Sequence, residues 1–105
     1  EFSAELRAID PLDELAFLYV ECSLLGAARH GGRIARRVAD SLPGCFEPRL
    51  FAFYSSYRAT LRARLAIAHL LEENPRSPEK WRPLARAYLR MADGAWQHAG
   101  KANCA

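Results

Sequence analysis

EFSAELRAIDPLDELAFLYVECSLLG, residues 1–26, contains both the start and the stop of a helix. Asp10 is a good N-cap, since its carboxylate can accept from the free amides of a first helical turn. Pro11 then falls at the first helical position, where its missing N–H costs nothing. Asp13 and Glu14 place negative charge at the positive end of the helix dipole. The pattern predicts a first helix from about Pro11 to Leu25, stopped by Gly26. Leu15 to Val20 is almost continuously apolar, as suits a central helix covered on several sides.

Outward from this segment the chain reads as helical throughout. A second helix is predicted over about Gly31–Leu42, with Ile34, Val38 and Leu42 as its apolar stripe and Pro43-Gly44 as its end. A long third helix is predicted over about Pro48–Glu73. On it Leu50, Tyr54, Tyr57, Leu61, Leu65 and Ala68 recur at steps of three and four, which places them on one face. Asn74 to Pro78 forms a turn in which Ser77 can cap a fourth helix that begins at Pro78. That helix is predicted to reach about His98, with Trp81, Leu84, Tyr88, Met91 and Ala95 facing inward. Pro83 can tighten or kink its second turn, Gly94 weakens its later part, and the tail after Gly100 is expected to fray. Only residues 1–9 offer a candidate extended segment. The sequence predicts an all-α fold: one domain over residues 1–105, a four-helix and mostly antiparallel bundle with short connections.

Composition bounds the function. One hundred and five residues, half of them hydrophobic, suffice for one domain with a real core and exclude a disordered chain. A formal net charge of +3 is not a nucleic-acid signature, although Arg29, His30, Arg33, Arg36 and Arg37 form a local basic cluster, which reads first as a solvated helix face. Cys22, Cys45 and Cys104 are odd in number and lack metal-ligand spacing, so they read as reduced thiols of a cytoplasmic protein. Cys22 reads as a packing residue, and Cys45, in a turn, as the most reactive thiol. No apolar run approaches the roughly 18 residues a membrane span needs, and no secretory signal is seen. His30, His69 and His98 are scattered, so no metal site is expected. Walker A and other Gly-rich phosphate loops are missing, and Lys80 and Lys101, the only lysines, look exposed.

Two segments carry a family resemblance. Ile9-Asp10-Pro11-Leu12-Asp13-Glu14-Leu15-Ala16-Phe17-Leu18 resembles the "D-x-x-x-D-L-A-F-L" helix that follows the metal-binding Asp and an I-E-F-S connection in aminoglycoside-phosphotransferase-like kinases. Phe53-Tyr54-Ser55-Ser56-Tyr57-Arg58-Ala59-Thr60-Leu61-Arg62-Ala63-Arg64-Leu65 is similar to the "F-Y-x-x-Y-R-A-x-V-R-A-K-V" helix of a bacterial branch of that family. Glu14 stands where the family usually has Asp, and Arg64 where Lys is common; both keep the charge. The resemblance implies the helical C-terminal part of a kinase-like C-lobe. It further implies that the H-G-D-x-H-x-x-N loop and the metal-binding Asp precede Glu1. ATP and Mg would then serve the intact parent and its small-molecule acceptor, while this chain alone would be inactive. A chain opening at Glu1 rather than Met fits a fragment and a processed protein equally.

The candidate site residues follow from spacing and from the resemblance together. By resemblance, Asp10 supports the catalytic loop as well as capping its helix. Glu14 and Glu21 share a face of the first helix, and Arg58 and Arg62 share a face of the third. Cross-helix pairing between these acids and arginines is expected, either as a structural network or as a device that orients an acceptor or a phosphate. Tyr54 and Tyr57 can stack on a substrate ring or belong to a core stripe. Two functions are carried forward: the helical subdomain of a phosphotransferase, partnered by the rest of its own polypeptide, and a non-enzymatic helical interaction module. Dimerisation through exposed apolar surface would accompany the first.

Overall fold

In the computed structural model, which describes residues 10–43, 46–74 and 76–102, four helices follow one another: α1 (Pro11–Leu24), α2 (Ala28–Asp40), α3 (Pro48–Leu70) and α4 (Pro78–Ala102). No strand occurs among the described residues. The expected extended segment at residues 1–9, the thiols of Cys45 and Cys104, and the side chain of Lys101 lie outside them.

α1 starts as expected. Asp10 is its N-cap, its carboxylate accepting from the Leu12 amide at 3.0 Å, with Pro11 first in the helix. At the other end Gly26 takes φ +81°, a conformation that only glycine adopts without steric cost. The Ala27 amide then reaches back to the Cys22 carbonyl at 2.8 Å, and the Gly26 amide to Ser23 at 3.1 Å. These two bonds close a Schellman motif. The connection takes only three residues, Leu25, Gly26 and Ala27, so α2 starts at Ala28 rather than Gly31, and Gly31 and Gly32 fall inside the helix. α3 is capped by Glu47, whose side chain accepts from the Arg49 amide. It ends at Leu70, three residues before the predicted Glu73. Before α4, Ser77 adopts φ +48° and its carbonyl accepts from Lys80. α4 runs through Pro83 unbroken and continues to Ala102, beyond the predicted His98.

Helix directions follow from which residues meet. Ser56 with Ala92 and His69 with Trp81 make α3 and α4 an antiparallel hairpin, the tightest pair in the fold. Cys22 and Tyr19 face Gly31 and Gly32, so α1 and α2 are also antiparallel. By contrast Asp10–Tyr54, Asp13–Arg58 and Glu21–Arg62 advance together, so the neighbouring helices α1 and α3 run in the same sense. α1 is central: it approaches each of the other three helices, whereas α2 approaches α1 alone.

Two of the predicted apolar stripes are not the buried faces. On α2 the buried residues are Gly31, Ala35 and Ala39, while Ile34 and Val38 are 48% and 40% exposed. On α3 the buried residues are Ala52, Ser55, Ser56, Ala59, Ala63 and Ala66. Tyr57, Leu65 and Ala68 are exposed, and Leu50, Tyr54 and Leu61 are half-buried. The reason is distance. Small residues let two backbones approach closely, and every buried polar atom in that seam is satisfied; Ser56 Oγ, for example, donates to the Ala92 carbonyl at 2.8 Å. On α4 Tyr88 is wholly buried as predicted, but its buried companions are Ala85 and Ala92, while Trp81, Leu84, Met91 and Ala95 are half-buried. The core forms two clusters. Val20, Ala59, Ala63, Tyr88 and Ala92 make one, and Leu12, Leu15, Ala35 and Ala39, beside Phe46, Leu50, Phe51 and Tyr54, make the other.

The glycines of α2 and α4 test this packing. A Cβ at Gly31 would lie 2.7 Å from Cys22 Cβ, one at Gly32 would touch only the Tyr19 ring at 3.6 Å, and one at Gly94 would meet nothing within 4 Å. Alanine gains up to about 1 kcal/mol over glycine inside a helix, and forcing an extra group into a packed seam costs about 1–3 kcal/mol. In urea unfolding, Gly94→Ala is expected to stabilise the protein by about 0.5–1 kcal/mol. Gly31→Ala is expected to destabilise it, because the overpacking exceeds the propensity gain. Equal gains at both positions would contradict the close approach of α1 and α2.

Candidate functional site

The chemistry-bearing side chains gather along the α1–α3 seam in three stations. At the first, Asp10 accepts from the Leu12 amide with one oxygen and from the Tyr54 hydroxyl with the other, at 2.9 Å. A single carboxylate thus starts α1 and ties it to α3. At the second, the Arg58 fork donates through Nε and Nη2 to the two oxygens of Asp13 at 2.8 and 3.0 Å. Glu14, largely exposed, stands 3.6 Å from the same guanidinium, which also lies over the Phe17 ring. At the third, the Tyr88 hydroxyl of α4 donates to Glu21 at 3.0 Å and accepts from Arg62 Nε at 3.3 Å. Arg62 Nε also lies 3.1 Å from Glu21.

The expected cross-helix pairing is therefore present, with the partners partly redistributed. Glu21 pairs with Arg62 as expected. The main partner of Arg58 is Asp13, not Glu14, because Asp13 is the less exposed of the two and presents both oxygens to the fork. Tyr54 joins the seam. Tyr57 does not: it is half-exposed, and its hydroxyl makes no hydrogen bond among the described residues. Sequence reasoning gave Asp13 only a dipole role and placed Tyr88 only in the core stripe. A signal for Asp13 was available, since Asp13 lies three residues after Asp10 and so on the same side of α1, as Arg58 lies four after Tyr54 on α3. Nothing local pointed to Tyr88 as a polar partner.

The pairing shifts proton affinities. Donation to Asp13 holds the Arg58 proton more tightly, against an opposing effect of burial. Arg62 is likewise raised, first by its bond to Tyr88. Donation to Asp10 and then burial raise Tyr54. Tyr88 is raised chiefly by burial and also by Glu21, with Arg62 opposing. Chemically the seam is a scaffold. Asp10, Asp13 and Glu21 are each engaged by a donor. No group of three or more His, Cys, Asp or Glu residues could hold a metal among the described residues. Lys80 lies over the Trp81 ring, 4.8 Å from its centroid. These donors do not fit Mg or nucleotide phosphates. No helix among the described residues is long and apolar enough to cross a membrane.

Beside the seam all four helices line an open groove of about 590 Å³. Tyr19, Phe46, Phe51 and Met91 make its apolar walls, and Arg36 and His98 stand at polar positions on it. No family model, curated protein or solved structure matches the chain.

Two predictions come from the seam. Arg58→Ala strands a partly buried Asp13 and is expected to cost about 1–3 kcal/mol. Arg36→Ala removes an exposed pair and should cost below about 1 kcal/mol. Similar losses for the two in chemical denaturation would show that the α1–α3 fork is no stronger than a surface pair. The second prediction concerns alkaline pH. Tyr54 and Tyr88 keep their protons above the ordinary value of 10.0, so the unfolded chain releases these protons first as pH rises. Their contribution is complete below pH about 10 and is lost as pH climbs toward the folded-state values. Thermal midpoints measured across this range should fall with pH, and fall less steeply in Tyr54→Phe.

Proposed function

We propose that this chain is the helical subdomain of an aminoglycoside-phosphotransferase-like kinase. In the intact protein it supports the catalytic loop and supplies one wall of the acceptor pocket. The observation that carries this reading is where its two resembling segments lie. Ile9–Leu18 and Phe53–Leu65 are far apart in sequence, yet their described residues are joined by the Asp10–Tyr54 and Asp13–Arg58 contacts. Asp10 is the residue through which a preceding loop would be fixed, since it orients the start of α1 and is itself held by α3. Exposed Leu25, Leu71 and Trp96, at 82%, 82% and 60%, add support, because a piece taken from a larger fold bares apolar surface where the remainder docks. ATP, Mg and the residues that act on them belong to the remainder, so no chemical step is assigned to this chain.

The second reading, a helical interaction module, draws on the same exposed surface. Phe53 and Trp96 touch across the α3–α4 seam and, with exposed Tyr57 and Leu89, leave an apolar stripe that a protein partner or a second copy could cover.

The coding sequence upstream of Glu1 separates the two. A kinase requires an H-G-D-x-H-x-x-N loop and a metal-site Asp encoded shortly before it. In that longer protein Tyr54→Phe should lower ATP-dependent phosphoryl transfer by about tenfold or more, as loss of a supporting hydrogen bond does at other sites. A start codon at Glu1 would overturn the kinase assignment and leave the module.

A further inference from the structure

Helix α2 carries Arg29, Arg33, Arg36 and Arg37 against Asp40 alone, a net +3 over 13 residues. α3 and α4 are basic as well, and the acids of α1 and of the connections offset part of that charge. Asp40 is taken by Arg36 at 3.5 Å. Arg29, His30, Arg33 and Arg37 are exposed and make no ion pair or hydrogen bond among the described residues. Arg29, Arg33 and Arg37 recur every fourth residue, a row about 12 Å long on one side of the helix.

The row works against the helix that bears it. Like charges four residues apart repel, and Arg29 sits near the positive end of the dipole. The N-cap is Ala27, which makes no side-chain cap. Local rules broken together on one surface are the pattern of a functional face.

We infer that Arg29, His30 and Arg33, with Arg37 extending the row, bind a soluble, multiply charged phosphate compound of the inorganic polyphosphate class. The three residues line a notch of about 190 Å³, a concave shape that suits a discrete anion. Guanidinium forks match phosphate oxygens two at a time. Ile34 and Val38, the exposed apolar residues of α2, each follow an arginine of the row and so lie about 100° around the helix from it. His30 lies at the same angle from Arg29, so the notch sits between the two rows, and its enclosure by three polar side chains suits a discrete soluble anion rather than a flat lipid surface. This site is independent of the kinase assignment.

The test titrates the 105-residue chain with sodium tripolyphosphate, inorganic phosphate and sulfate at constant ionic strength, reading calorimetric binding and the thermal midpoint. Tripolyphosphate should bind and raise the midpoint more than sulfate does. Arg29→Gln/Arg33→Gln should weaken binding by about tenfold or more. Arg82→Gln/Arg86→Gln on α4 should leave it unchanged. Circular dichroism checks folding, and the α2 double variant should fold at least as well as the parent because it relieves repulsion. Equal responses to tripolyphosphate and sulfate, equal losses in both double variants, or binding to phosphatidylglycerol vesicles without binding to tripolyphosphate would each overturn the site.

Discussion

Glu21, Arg62 and Tyr88 meet where α1, α3 and α4 meet, and the rest of the fold is arranged around that junction. The Tyr88 ring is wholly buried, yet its hydroxyl lies between a carboxylate and a guanidinium. The buried phenol left alone at that point would be costly, because it would lose water without a replacement partner, whereas Glu21 and Arg62 keep 30% and 39% of their side-chain surface exposed. Together they satisfy one another, and no buried side-chain nitrogen or oxygen lacks a partner among the described residues. The arrangement works only if the three backbones stand at one set of distances, so the polar contact fixes register as well as satisfying charge.

Small residues make those distances reachable. Ala59, Ala63, Ala85 and Ala92 line the α3–α4 seam, and Gly31, Ala35 and Ala39 line the side of α2 that faces α1. Close approach leaves no room between these helices for Leu65, Tyr57, Ile34 or Val38, which are consequently displaced to the surface. The exposed apolar area and the tight interfaces thus have one cause. The same area gives the molecule something to offer a covering partner, whether the remainder of its own polypeptide or another chain.

The two kinds of charge on this protein do different work. Along the α1–α3 seam acids and arginines are paired and partly buried, and each pair joins two helices. On α2 the arginines are solvated, and the one acid of that helix is already engaged. Their field reaches a dissolved anion within about a Debye length of 8–10 Å.

The sequence by itself determined the four helices, most of their starts and stops, and the inward position of Tyr88 on α4. Capping by Asp10, proline at first positions and glycine at Gly26 are local signals with local physical causes. It also anticipated the pairing of Glu21 with Arg62, because a seven-residue step puts both acids, and a four-residue step both arginines, on single faces. The tertiary structure decided which faces of α2 and α3 are inside, that α1 and α3 run in the same sense, and that Asp13 rather than Glu14 fills the Arg58 fork. Periodicity marks where apolar residues cluster on a helix. It carries no information on how closely the next backbone approaches, and here that distance selected alanine, glycine and serine for the interior over the larger side chains beside them.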